Sequence, residues 1–229
     1  MIRRLLGAIV LAIIGIVCLG SVFDTWAAPA FNLGASRGLP VLADRRQGAE
    51  LDRPFKVNDI TLVNAHHPIS PAYQPTLVEP YRLAPQTHAA FARMVVDAEQ
   101  QGLTIIHRFG HRSYETQAQL MAANIETYGS SEEARRWVAE PGQSEHQTGL
   151  AVDVAAPGGR GHEFPTTPEY AWLRAHAHEY GFILRYPEGK EHITGIAPEP
   201  WHYRFIGVEP AAAFGPNSDL TLEEFLGGR

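Results

Sequence analysis

Two segments, Ser144-Glu-His-Gln-Thr-Gly-Leu-Ala-Val-Asp153 and Glu199-Pro-Trp-His202, bring together two imidazoles, one carboxylate able to ligate and one to spare. That is the inventory of a catalytic zinc site: three protein ligands, an open position for water, and a nearby base to take that water's proton. His146 lies in a Gln/Thr/Gly turn just before the apolar run that holds Asp153. A rigid loop followed by a strand can aim both side chains at one point, and His202 would arrive from a neighbouring strand. Glu199 precedes His202 by three residues, with Pro200 fixing the backbone between them. It can face the site without ligating, which suits a general base that later protonates a leaving amine. Asp153 read merely as a buried acid is the costlier account. A carboxylate within Leu150–Val154 needs a partner, and a cation is a natural one.

The elements that must position these residues can be read in outline. Pro85 to Gln101 has Phe91, Met94, Val95 and Ala98 on one helical stripe, with Gly102 as a stop. Leu103 to Phe109 is rich in β-formers and reads as a strand. Ser113 can cap a helix running through Glu126, and Ser130 with Glu133 forms a capping box for the next. Gly149 to Val154 reads as a strand with Val152 and Val154 on one face, and Ala151 and Asp153 on the other. Thr167-Pro168-Glu169 opens a helix that closes at Gly181, and Phe182–Tyr186 and Trp201–Ile206 follow as strands. Helices first and strands towards the carboxyl half predict an α+β domain, its helices packed on a small, mostly antiparallel sheet that carries the zinc site.

At 229 residues the chain has room for one domain and an appendage. Its formal charge of -6 and lack of a basic run argue against a nucleic-acid partner. The one cysteine, Cys18, lies in the N-terminal apolar run, so any metal site in the domain must use His, Asp and Glu. Arg3 and Arg4 followed by the uncharged stretch Leu5–Phe23 give the pattern of a secretory signal or membrane anchor. Thr25-Trp26-Ala27 is a poor cleavage site, which favours a retained anchor with its basic end in the cytoplasm. Either version places the domain outside the cytoplasmic membrane. The expected divisions are an anchor or signal over residues 1–27, a Gly/Ala/Pro/Arg-rich tether over 28–57 and a domain over 58–229.

Longer strings extend the pattern: Leu62-Val-Asn64, Arg112-Ser-Tyr-Glu-Thr-Gln117, Pro141 through Asp153, Gly181-Phe-Ile-Leu-Arg-Tyr-Pro187, Lys190-Glu-His-Ile-Thr-Gly195, Glu199-Pro-Trp-His-Tyr203 and Leu220 through Leu226. With these the chain resembles the VanY-type D-alanyl-D-alanine carboxypeptidases, zinc peptidases acting on peptidoglycan peptides. The resemblance implies zinc on His146, Asp153 and His202, with Glu199 as catalytic base. It also implies that Arg112 lies beside the metal, polarising the scissile carbonyl or holding the substrate's terminal carboxylate. Gln117 and Ser144 are further substrate-binding candidates, unless they only cap a helix or turn. Trp201 is expected to pack behind Glu199 and His202, and Tyr186 to line the cleft or sit in the core.

Two departures from the family pattern concern the pocket. Phe109-Gly-His-Arg112 replaces Ser-Gly-Tyr-Arg, and Ala65-His66-His67 follows Asn64 where a lysine is usual. These histidines are expected to be solvated. The function implied is removal of the terminal D-alanine from peptidoglycan stem peptides. The alternatives are an L,D-carboxypeptidase or D,D-dipeptidase with the same ligands, a lytic endopeptidase, and a non-catalytic wall-binding module. A binding module has no use for Glu199. Without cysteine among the ligands, the site selects zinc less sharply over other divalent ions.

Overall fold

The computed structural model describes residues 42–227. The expected anchor or signal and the tether as far as residue 41 lie outside the described residues. Among the described residues no helix is long and apolar enough to cross a membrane.

Residues 42–57, assigned to the tether from composition, are built into the domain. Leu42 packs on a cluster around Ile60, Leu62, Ile183 and Leu222, and a 3-10 turn runs over Gly48–Asp52. Strand β1 (Phe55–Val57) pairs antiparallel with β2 (Ile60–Leu62), and both turn residues, Asn58 and Asp59, have positive φ. That is the chemistry of a type I′ hairpin. Strands of three residues are too short to show an alternation in the sequence.

Helix α1 (Pro85–Glu99) starts on a proline and buries Phe91, Met94 and Ala98, with Val95 packed alongside. β3 (Ile106–Phe109) is shorter than the β-rich run that contains it. Ser113 caps α2 (Tyr114–Tyr128) by accepting from the Thr116 N–H, and Gly129 ends the helix at a φ of 81°. In α3 (Ser131–Arg135) Ser130 accepts from the Glu133 N–H at 3.2 Å. β4 (Ala151–Ala155) follows a 3-10 turn at Glu145–Thr148. α4 (Pro168–His176) continues as a 3-10 turn to Tyr180 before Gly181, and β5 (Phe182–Tyr186) follows at once. α5 (Glu191–Thr194) leads into β6 (Glu199–Phe205), and α6 (Val208–Ala212) and α7 (Leu222–Gly227) close the described chain.

The main sheet has the order β3-β4-β6-β5, and each pair is antiparallel. The architecture is therefore α+β, with helices on small antiparallel sheets. Its register assigns the faces, because residues directly opposite share one. Val152, Tyr203 and Leu184 form a row on the face covered by α1 and α4, within the main core. Ala151, Arg204 and Ile183 form a row on the other face, where Asp153 and His202 also pair. The predicted division of the β4 side chains is the one observed. Burying Phe91 and Met94 completely against the first face contributes about 1.5–3 kcal/mol each.

Candidate active site

Asp153 and His202 are register partners on adjacent strands, so the sheet itself sets their separation. Glu199 needs a further device, because residues three apart on a regular strand face opposite ways. The device is a bulge: from Leu184 to Tyr186, β5 advances two residues while β6 runs four, from Tyr203 back to Glu199. From this irregular stretch the Glu199 carboxylate reaches His202, with Oε2 at 3.3 Å from His202 Nδ1. A second bulge in β3, between His107 and Phe109, sets Phe109 opposite Asp153.

His146 comes from the 3-10 turn before β4, and that turn is laced to the segment after β3. Its Nδ1–H donates to the Gly110 carbonyl at 2.7 Å, while Arg112 N–H donates to the His146 carbonyl at 3.1 Å. Only a donor can face a carbonyl, so the His146 lone pair lies on Nε2, which points at Asp153 Oδ1 across 3.3 Å. His202 is fixed by its other edge: Nε2 faces Glu145 Oε2 at 3.4 Å, leaving Nδ1 3.2 Å from the same Asp153 oxygen.

One ligand atom from each of His146, Asp153 and His202 thus lies within 4.8 Å of the others. Asp153 Oδ1 is buried between the two rings without a directed hydrogen bond. Burial raises the Asp153 pKa, but attraction to the two imidazoles outweighs it and holds the carboxyl well below the usual range. Burial likewise opposes charge on His202, yet contacts to Asp153, Glu145 and Glu199 raise its pKa well above the ordinary imidazole value. Acidic oxygens converging on one ring, and a buried carboxylate oxygen without a hydrogen bond, form a donor set that suits a divalent cation.

These groups open on a cleft of about 330 Å³ that Arg112, Gln117, Ser144, Tyr186, Glu199 and Trp201 also line. Arg112 is held by Nη1 donating to Gln117 Oε1 at 2.9 Å, and Gln117 Nε2 donates to the Ala139 carbonyl at 2.7 Å. Gln117 is therefore buried and engaged on both amide atoms, a brace for Arg112. Burial opposes the Arg112 charge, while Asp153 and Glu199 favour it. Ser144 stands at the start of the 3-10 turn and makes no side-chain cap bond there. Tyr186 both lines the cleft and packs edge-on against His202, with ring centroids 5.0 Å apart. Trp201 lines the cleft as well as packing on the core.

Of the histidines at the two departures, His66 is exposed as expected, while His67 and His111 differ. His67 is 2% exposed, not solvated, with its ring bonded to Asn64 Oδ1 and the Leu42 carbonyl at 2.9 Å each. His111 is half-buried, and burial, followed by the charges of Arg82 and His146, lowers its pKa to about 4. The described groups of three or more possible ligands include neither.

Sequence reading missed the support beneath the metal ligands. Glu145 is fully buried, and its Oε1 accepts from Arg185 Nε at 2.7 Å and Arg204 Nη1 at 2.6 Å. Arg185 pairs in turn with Glu223 of α7 at 2.6 Å. The available signal was an arginine inside each of two apolar strand runs, Phe182–Tyr186 and Tyr203–Ile206, because a charge buried there must be paired.

Residues 80–208 match the family model described as VanY, D-alanyl-D-alanine carboxypeptidase. A D-alanyl-D-alanine carboxypeptidase of Enterococcus faecalis is 36% identical over 184 residues, 73% of this chain and 65% of the relative. The chain spans between half and two thirds of the first curated relatives it matches. Among solved structures, a VanY D,D-pentapeptidase of a VanB-type vancomycin-resistance cassette, in complex with Zn(II), superposes with a TM-score of 0.63 at 35% identity. The match covers 72% of this chain and 97% of that one. VanYB in complex with D-alanine-D-alanine gives 0.64 at 35% identity, covering 72% and 95%. An LD-carboxypeptidase gives 0.64 at 32% identity, covering 76% and 92%.

Proposed function

The chain belongs to the VanY family of D-alanyl-D-alanine carboxypeptidases, and from that membership we propose that it removes the terminal D-alanine from peptidoglycan stem peptides. The observation that carries this reading is the meeting of His146, Asp153 and His202 with Glu199 and Arg112 in one cleft. His146, Asp153 and His202 would hold zinc, which would supply the Lewis acidity to acidify a water and polarise a carbonyl. Glu199, beside the ligands but outside their set, takes the proton of the attacking water and passes it to the departing amine. Arg112, fixed by Gln117, offers a guanidinium fork to the substrate's terminal carboxylate or to the oxyanion that develops on the scissile carbonyl. Engagement of a free carboxylate is what makes the enzyme an exopeptidase. Ser144 lines the same cleft and can offer a hydroxyl to the peptide. The substrate lies in the wall, and the apolar run Leu5–Phe23 supports a domain held or released outside the cytoplasmic membrane.

The likeness to an LD-carboxypeptidase keeps one second reading in view, because identical ligands serve both stereochemistries and the pocket decides. The test is alanine release from pentapeptide and tetrapeptide stems, with and without a chelator. Chelator-sensitive release from the pentapeptide alone is the expected result. Release from the tetrapeptide would replace it with the L,D activity, and silence on both with metal bound would overturn the carboxypeptidase reading.

A further inference from the structure

Below the metal ligands the structure buries four ionised side chains that touch no cleft. Glu145, Arg185 and Arg204 have side chains with no exposure, and Glu223 is 14% exposed. Glu145 Oε1 takes both guanidinium groups, while Arg185 Nη1 and Nη2 fork onto the two oxygens of Glu223 at 2.9 and 2.6 Å. Arg204 Nη2 also donates to the Thr61 carbonyl, and Asn64 Nδ2 donates to Glu223 Oε1 at 3.0 Å. The cluster therefore joins β5, β6, the 3-10 turn and the start of the domain to α7.

Stability is a poor reason for such a cluster. Taking four charges out of water costs several kcal/mol each, and well-packed apolar side chains often serve a fold as well or better. What the cluster does that apolar residues cannot is present an anionic acceptor, Glu145 Oε2, to Nε2 of His202. A carboxylate on the far nitrogen of a ligating histidine fixes its tautomer and makes the near nitrogen a better donor. The two arginines keep Glu145 ionised and immobile, and Glu223 holds Arg185 in place.

We propose that Glu145 is the positioning residue for His202, and that the path Glu223–Arg185–Glu145–His202 couples the C-terminal helix α7 to metal affinity. This rests on the metal centre proposed above, but not on any substrate. α7 is then part of the device that holds the ion, although it lies outside the cleft.

The experiment measures zinc affinity of the full chain by competition with a chromophoric chelator, the absorption spectrum of the cobalt-substituted protein, and thermal unfolding of the metal-free protein. Four proteins are compared: wild type, Glu145→Gln, Glu223→Gln and Met94→Ala. Met94 is fully buried on α1, against the sheet face opposite the ligands, so Met94→Ala loosens the core without touching α7 or the charges. Glu145→Gln is expected to weaken zinc binding about 10–100-fold and to change the cobalt spectrum. Glu223→Gln, which removes the charge but keeps an amide that can still accept from Arg185, is expected to show a smaller loss of the same kind. Met94→Ala should lower the unfolding temperature while keeping affinity and spectrum.

Zinc affinity that follows unfolding temperature alone across the variants would overturn the coupling, as would wild-type affinity in both charge variants. A wild-type chain that binds no divalent ion would instead overturn the metal centre itself.

Discussion

At the scale of single residues, the proposed site separates holding a metal from moving a proton. Glu199 stands 3.3 Å from His202 Nδ1, but the three convergent ligand atoms belong to His146, Asp153 and His202. Glu199→Ala should therefore retain stoichiometric zinc and lose about 10²–10⁴ in kcat, read by metal analysis alongside alanine release. Loss of the ion in that variant would make Glu199 a ligand instead. Arg112 offers a sharper contrast. Lysine keeps the charge but not the fork, and only the fork can bond Gln117 and a carboxylate or oxyanion together. Arg112→Lys should lower kcat/KM about 100-fold with zinc content unchanged. Near-normal turnover would show that Arg112 supplies only a diffuse positive field.

At the scale of elements, the site is made by small irregularities in an otherwise regular sheet. The bulge in β6 sets Glu199 beside His202, the bulge in β3 sets Phe109 opposite Asp153, and the turn at Gly110 supplies the acceptor that orients His146. A Cβ at Gly110 would lie 2.1 Å from the Tyr81 carbonyl oxygen and 3.0 Å from that of Arg82, so backbone would have to move. Gly110→Ala should cost about 1–3 kcal/mol of stability and weaken zinc about tenfold, because the His146 acceptor moves with it. Gly129→Ala is the control: its φ of 81° makes it strained, but it has open space around it and no link to the ligands. Equal zinc affinity in the two variants would refute a role for the Gly110 carbonyl. These irregularities also mark the limit of what sequence reveals. The stripe of α1, the Ser113 cap and the valine alternation of β4 are local patterns, and all three are present. Two extra residues in β6 leave no trace in hydrophobic period. The strict alternation of a strand would even have sent Glu199 away from His202. The candidate ligands were legible as residue types in motifs; the pairing of Glu145 with arginines far along the chain was not, because it exists only once β5 and β6 are side by side.

For the molecule as a whole, the buried imidazoles outside the ligand set predict how the fold meets acid. His107 and His111 both have lowered pKa values, and burial is the largest cause in each. His111 is the extreme case, brought to about 4 from an ordinary 6.5 by burial and then by the charges of Arg82 and His146. The unfolded chain therefore takes up these protons first. The contribution of neutral His111 is complete above pH 6.5 and is lost as pH falls towards about 4. Tyrosine, the residue usual at this place in the family, cannot take that proton. The unfolding temperature of zinc-free protein should fall between pH 7 and pH 5 in wild type, and by less in His111→Tyr. Working without zinc keeps acid release of the metal from adding its own loss. Parallel losses in the two proteins would remove His111 from the account, and leave His107, in β3, as the half-buried ring to substitute next.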